Sequence, residues 1–314
     1  MFRKVHLRSL AKINLDLRVL HKRADRFHEL RTVFQTISLA DSIHIEYEPA
    51  KKTELTLDDP LAIPDNLVLR AARVALQAMG VHARVRFRLR KHIPMGGGLG
   101  GGSSNAAAVL LALPVLAGQP LYRYEMAELG SALGSDVPFF LSGGTALGIG
   151  RGTELYPLRD LTPESLMIVC PKIHSSTATA YADLKREFAV DGVSNSDAFR
   201  AYVTLLGMGR SARRAGLLSA NDFEAAVTRA HPELQAIPAK LQKLGGGLGQ
   251  MSGSGSAFFG IFESRTHRDR ALAEWRRGRA ASPAFPAEIV TQRRYQAMWR
   301  RQLRDHITGE VAWP

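Results

Sequence analysis

The chain has 314 residues, 45% hydrophobic and 23% charged, which suits one large or two medium globular domains and excludes a largely disordered polymer. Its single cysteine, Cys170, excludes an intrachain disulfide and a cysteine-built metal cluster. The formal net charge of +13 leaves nucleic acid, a membrane surface and anionic metabolites open as partners.

In chain order, residues 3–20 alternate polar and apolar and predict a strand pair, or a strand with a turn. The polar stretch 21–30 predicts a loop, and 32–39, 42–47 and 53–58 predict three strands. Asp65 or Asn66 caps a helix running to about Met79. Residues 81–91 alternate strictly and predict a half-buried strand with a basic, solvated outer face. A glycine loop and an Ala-rich helix follow over 93–118. Its apolar run, 106–117, is too short to span a bilayer and contains Pro114, so it reads as a core helix. A second helix covers 126–133, then a short apolar segment at 137–141 and a glycine-broken strand or hairpin at 143–150.

The first domain is expected over 1–163 and the second over 164–314. The second opens with a strand at 166–170, where Cys170 reads as a small buried hydrophobe. Helices are expected at 177–188, after a loop at 192–199, at 222–231, at 237–244 and at 266–277. A second glycine-rich segment, 245–262, runs into a strand. Between Arg265 and Arg304 stand eleven arginines against Asp269, Glu274 and Glu288, so the basic excess is concentrated at the C-terminal end. The last 30 residues lack a strand pattern and predict a terminal helix or a partly ordered extension. Strands grouped before helices, with few regular βα alternations, make the class α+β. A soluble, cytoplasmic protein without membrane contact is expected.

The strongest chemical signal is Pro94-Met95-Gly96-Gly97-Gly98-Leu99-Gly100-Gly101-Gly102-Ser103-Ser104-Asn105. Six glycines in seven residues disfavour a helix or strand interior and suit a backbone that must approach an anion closely. The following helix adds unpaired N–H groups and its positive end, and the two serines add hydroxyls for phosphate or magnesium. No lysine follows the glycines, so the loop is not a Walker A motif and transition-state charge must come from elsewhere. Lys12, inside an apolar strand pattern, and Asp136, just ahead of apolar residues, are candidates. Taken singly they read equally well as a snorkelling lysine and a capping aspartate. As a buried pair they would satisfy one another and suit phosphoryl transfer to a hydroxyl.

With these pieces the chain resembles the GHMP kinase superfamily. The resemblance rests on PMGGGLGGGSSNAA (94–107), SLAKINLDL (9–17), RADRFHELRTVFQTISLAD (23–41), LGSDVPFFLSGGTALGIGRGTEL (133–155), ANDFE (220–224) and SGSGSAFFGIF (252–262). AKINL with HEL and GSDVPFF points to the branch that phosphorylates the 2-hydroxyl of 4-diphosphocytidyl-2-C-methyl-D-erythritol in the non-mevalonate isoprenoid pathway.

The resemblance implies a ribosomal-protein-like first domain, a ferredoxin-like second domain, and ATP with Mg2+. Lys12 and Asp136 match its catalytic pair. Asn14 matches the residue that holds the erythritol side, and Lys91 a basic residue near adenine and phosphates. Phe27 stands where that branch has Tyr, keeping a stacking ring without the hydroxyl. His28 and Tyr181 match the cytosine contacts, and Thr177 is expected nearby. Without the resemblance, His28 reads as a solvated loop histidine and Tyr181 as core. The implied partner is a small molecule carrying a cytidine diphosphate group, with the protein a monomer or weak homodimer. Nucleic acid is not expected as a partner, and another GHMP kinase, such as a homoserine or mevalonate kinase, is the alternative. A nucleic-acid-binding protein acting through the basic C-terminal region is the alternative from a different class.

Overall fold

The computed structural model describes residues 1–173, 179–181, 184, 193–208, 211–212, 218–278 and 282–307. Its frame is a pair of long antiparallel strands, β1 (Arg3–Lys22) and β2 (His28–Pro49). Early in β1, buried Val5 and Leu7 alternate with exposed Lys4, His6 and Arg8, the period of a strand with one wet face. From Ser9 to Val19 every residue is buried, because the glycine segments and the second half of the chain close over this stretch. The strands expected at 32–39 and 42–47 are one continuous strand, whose pairing with β1 shifts register at Leu10/Ala11 without breaking. The expected loop at 21–30 shrinks to the turn between Lys22 and His28, so His28 begins a strand.

The first sheet adds β3 (Glu54–Asp58), β4 (Ala83–Arg90), β5 (Thr145–Gly150) and β6 (Glu154–Pro157) in the order β3-β4-β2-β5-β6, with β1 on the other edge of β2. Only β3 and β4 pair in parallel. The arginine face of β4 is ion-paired: Arg84 meets Glu48 and Glu54, and Arg88 and Arg90 meet Asp58. Four helices pack on this unit: α1 (Leu67–Ala78), α2 (Gly101–Ala117), α3 (Arg123–Leu133) and α4 (Val137–Ser142). Asn66 caps α1, its side chain accepting from the Val68 N–H at 3.0 Å. Residues 104–116 of α2 are buried on every face, as a helix apolar all round requires.

The second sheet is antiparallel, β7 (Ser165–Val169), β8 (Gly249–Met251), β9 (Phe258–Phe262) and β10 (Ala284–Glu288), in the order β10-β7-β9-β8. Its helices are α5 (Val193–Gly207), α6 (Asp222–Ala230), α7 (Ala236–Lys243) and α8 (Arg265–Arg277). The loop expected at 192–199 is helical from Val193, and most of the helix expected at 177–188 lies outside the described residues. The sequence pattern missed β10, which carries Pro286; an edge strand tolerates that residue because it needs no ladder donor there.

The chain then returns to the first unit. Helix α9 (Gln292–Leu303) buries Tyr295, Trp299 and Leu303 in the same apolar cluster as Leu7, Phe139 and Phe140, and Tyr295 Oη donates to the Phe140 carbonyl at 2.5 Å. The tail expected as part of the second domain is therefore packed against the first. Trp299 is core, and Trp313 lies outside the described residues. Among the described residues no helix is long and apolar enough to cross a membrane.

Candidate active site

A register shift in β1 decides what faces the site. Lys12 pairs with Thr36 and Asn14 with Phe34, but a bulge between Asn14 and Asp16 makes Leu17, not Asp16, the partner of Thr32. Lys12, Asn14 and Leu17 therefore line one cavity with Thr32 and Phe34, while Asp16 turns away into a buried ion pair with Arg18 at 3.0 Å. Asp16 also accepts from the Ala220 N–H at 2.9 Å, and burial pushes its carboxyl up to about 6 against the pull of Arg18.

The cavity encloses about 630 Å³. Lys12 Nζ lies 3.2 Å from Asp136 Oδ2 and donates to Asn14 Oδ1 at 2.7 Å. The lysine is buried over the Phe34 ring, while the Asp136 side chain keeps 31% of its surface. Asp136 heads the short helix α4 without spending its carboxylate on a cap. Sequence reasoning could only suggest this pairing across 124 positions; the fold places the two groups in contact.

The two glycine-rich segments lie side by side. The Ser256 and Ala257 N–H groups donate to the carbonyls of Gly96 and Gly97 at 3.2 and 3.3 Å, and Ser252 Oγ donates to that of Gly98 at 3.2 Å. Ser252 Oγ also accepts from the Asn14 N–H at 3.3 Å, tying both segments to β1. Gly98, at φ +71°, has no room for a side chain: a Cβ there would lie 2.2 Å from the Ser252 carbonyl oxygen. Gly100, at φ +68°, ends the loop and starts α2 without a side-chain cap. The first-turn N–H groups of α2, at Gly101, Gly102 and Ser103, thus have no intrahelical acceptor. Ser103 lines the cavity, and the buried Ser104 hydroxyl has no partner.

Asp41, which sequence reasoning missed, anchors the loop from behind. Its buried carboxylate accepts from the His92 and Ile93 N–H groups at 2.7 and 2.8 Å, from Asn105 Nδ2 at 3.1 Å, and from Lys91 Nζ. Lys91 is thus held by Asp41 beside the start of α2. It also lines a second cavity of about 380 Å³ with Pro94 and Gly97. In the sequence Asp41 falls between the strands expected at 32–39 and 42–47, where a lone acidic residue reads as part of a connection.

Phe27, His28 and Tyr181 also line the 630 Å³ cavity. Phe27 is 46% exposed, with the Arg151 guanidinium 3.5 Å from its ring centre. The His28 ring stacks on Tyr181 at 4.6 Å, and Tyr181 meets Phe223 edge-on at 4.8 Å. Burial, aided by the positive charge of Lys22, holds His28 below the usual imidazole range. Burial and the nearby Asp136 charge raise the Tyr181 phenol. Thr177 lies outside the described residues.

Two family profiles match the chain, "GHMP kinases N terminal domain" over residues 66–144 and "GHMP kinases C terminal" over residues 205–280. A 4-diphosphocytidyl-2-C-methyl-D-erythritol kinase of Solibacter usitatus (strain Ellin6076) is 49% identical over 315 residues, covering 99% of this chain and 96% of that protein. The chain belongs to the GHMP kinase family. A relative with the same printed name from Gloeobacter violaceus (strain ATCC 29082 / PCC 7421) is 39% identical, with 86% and 89% of the two chains covered.

A crystal structure of 4-(cytidine 5'-diphospho)-2C-methyl-D-erythritol kinase matches with a TM-score of 0.75 at 36% identity, covering 90% of this chain and 98% of that one. L. major mevalonate kinase in complex with R-mevalonate matches with a TM-score of 0.69 at 18% identity, covering 92% and 97%; that likeness concerns the fold alone. In this GHMP kinase the N-terminal profile spans the first glycine segment and Asp136. Lys12, Asn14, Phe27, His28, Asp41 and Tyr181 fall outside both profiles, so their place in the site rests on the geometry.

Proposed function

We propose that this GHMP kinase transfers the γ-phosphoryl group of ATP to the 2-hydroxyl of 4-diphosphocytidyl-2-C-methyl-D-erythritol, giving the 2-phosphate and ADP. The observation that carries the reading is the Lys12–Asp136 contact at 3.2 Å, in one cavity lined also by Gly98, Gly100 and Ser103 of the glycine segment and by Phe27, His28 and Tyr181. A phosphate donor and an aromatic base would thus meet at a single ion pair.

In this reading the segment from Pro94 to Asn105 cradles the ATP phosphates. The unpaired N–H groups at the start of α2 face them, and the helix dipole favours their charge. Asp136 orients the acceptor hydroxyl and takes its proton as the O–P bond forms. Lys12, held in place by Asn14, offsets charge growing on the transferred group. Asn14 faces the erythritol part. Phe27 and Tyr181 stack on the cytosine, and His28 reads its polar edge. Lys91 would act near the nucleotide through its bond to Asp41.

Magnesium would neutralise the phosphates it travels with. The orphaned Ser104 hydroxyl, Ser103 and the Asp136 carboxylate are hard oxygen donors of the type it takes. Among the described residues no group of three or more His, Cys, Asp or Glu could hold a metal ion. The test is an ADP-release assay with this acceptor, joined to phosphorus NMR of the product. One new phosphomonoester per ADP is expected. A folded enzyme that releases no ADP with this acceptor, or that phosphorylates the free erythritol equally well, would contradict the reading.

A further inference from the structure

We propose that Thr32 is a positioning residue that sets the orientation of the Asn14 amide and, through it, the place of the Lys12 ammonium. The inference rests on the roles proposed above for Lys12 and Asp136. Thr32 is fully buried on β2, opposite Leu17 and diagonal to Asn14 across the bulged part of the β1–β2 ladder. Three short hydrogen bonds run in series. Lys12 Nζ donates to Asn14 Oδ1 at 2.7 Å, Asn14 Nδ2 donates to Thr32 Oγ1 at 2.7 Å, and Thr32 Oγ1 donates to the Asp16 carbonyl at 2.6 Å.

The directions follow from donor counting. A backbone carbonyl can only accept, so the single proton of the Thr32 hydroxyl is spent on Asp16. What Thr32 then offers Asn14 is a lone pair, which demands the NH2 end of the amide. An ammonium can only donate, so at the other end Lys12 demands the carbonyl end. Both demands select one amide orientation, and neither could be met with the amide turned over. The bulge between Asn14 and Asp16 matters here, because it brings the Asp16 carbonyl to the Thr32 hydroxyl while sending the Asp16 side chain elsewhere.

Without the hydroxyl, the Asn14 NH2 group would lose its buried acceptor, and the Lys12 contact alone would hold the amide's sense. The amide would be less firmly placed, and the ammonium freer to drift toward Asp136, away from the transferred phosphoryl group. The loss should fall on turnover more than on nucleotide binding, since none of the three side-chain hydrogen bonds goes to the α2 N-terminus, and the Lys12 backbone stays tied to the glycine loop by its own N–H, which donates to the Leu99 carbonyl at 3.0 Å.

The experiment compares Thr32→Val and Thr32→Ser in full-length enzyme with ATP and the cytidine diphosphate acceptor. Thr32→Val should lower kcat about 10- to 100-fold with KM for ATP within twofold of wild type. Thr32→Ser should keep most of kcat. A double-mutant cycle separates positioning from general packing: in an Asn14→Ala background, Thr32→Val should lower kcat no further. If the valine variant does not fold, Thr32→Cys repeats the comparison with similar volume and a poor acceptor. Wild-type kcat in Thr32→Val, or an undiminished effect of that change in the Asn14→Ala background, would overturn the inference while leaving the kinase reading intact. A wild-type enzyme inactive on this acceptor would overturn the kinase reading and this inference with it.

Discussion

Lys12 Nζ and Asp136 Oδ2 stand 3.2 Å apart, with the lysine side chain 4% exposed and the aspartate 31%. The asymmetry has a chemical use. The cation is fixed from below by Asn14 and the Phe34 ring, so its charge is in place before the acceptor arrives. The carboxylate opens on the cavity, where a hydroxyl can reach it. A loop without its own lysine thereby obtains a preorganised charge from a strand more than 80 positions earlier in the chain.

The aromatic end should control the acceptor and nothing else. Phe27 is 46% exposed, so its removal costs little packing. Phe27→Ala should raise KM for the acceptor by about 5- to 150-fold, the worth of roughly 1–3 kcal/mol for stacking one base. KM for ATP should stay within twofold. Steady-state kinetics with each substrate varied in turn checks both values.

The contact between the glycine segments predicts a sharp difference between two glycines. Gly98→Ala would drive a Cβ against the Ser252 carbonyl at a positive φ, and should cost at least about 2 kcal/mol of stability and raise KM for ATP. Gly102→Ala meets only Leu67 Cδ1 at 3.6 Å and lies in helical backbone, so its stability should stay at or slightly above wild type. Thermal unfolding of the two variants tests the difference.

His28 supplies a pH signature. Burial and Lys22 hold its ring below the ordinary imidazole value, so it is neutral at pH 7 and above. Acidification through that depressed value adds a proton and removes an acceptor from the base-reading edge. KM for the acceptor should be flat above pH 7 and rise only as the pH falls through that depressed value, while KM for ATP does not follow. The acceptor's diphosphate has no proton to exchange in this range. His28→Gln should abolish the acidic rise; a rise that persists in that variant would assign it to another group.

The basic C-terminal region should prove structural on its inner face. Trp299 is 1% exposed in the first unit's core, and Trp299→Ala should cost about 3–5 kcal/mol. Arg300 and Arg301 on the same helix are exposed, and Arg300→Gln with Arg301→Gln should change stability by less than about 0.5 kcal/mol. Chemical denaturation distinguishes the two faces.

What the sequence made legible follows physical range. The glycine run, the strict alternation at 81–91 and the all-apolar helix are local signals, and each led to the right element. The Lys12–Asp136 contact is not local: the residues alone offered the pair only as one of several readings, and the motif resemblance singled it out. The bulge at Asn14/Asp16 left no mark on composition, so the opposite fates of Asn14 and Asp16 could not be read from alternation. Asp41 looked like one acidic residue between strands because its four donors come from residues 91 to 105. Strand β10 was missed because five residues around Pro286 carry no alternating pattern, and its place at a sheet edge is a tertiary fact.

The most direct test of the central claim is ADP release by Asp136→Asn with saturating ATP and 4-diphosphocytidyl-2-C-methyl-D-erythritol, read beside Lys12→Met and wild type. The account predicts that Asp136→Asn lowers kcat by about 10²- to 10⁴-fold, the usual worth of a positioned proton acceptor, with KM for ATP changed by no more than a few-fold. A correctly folded Asp136→Asn enzyme that turns over within twofold of wild type would contradict it.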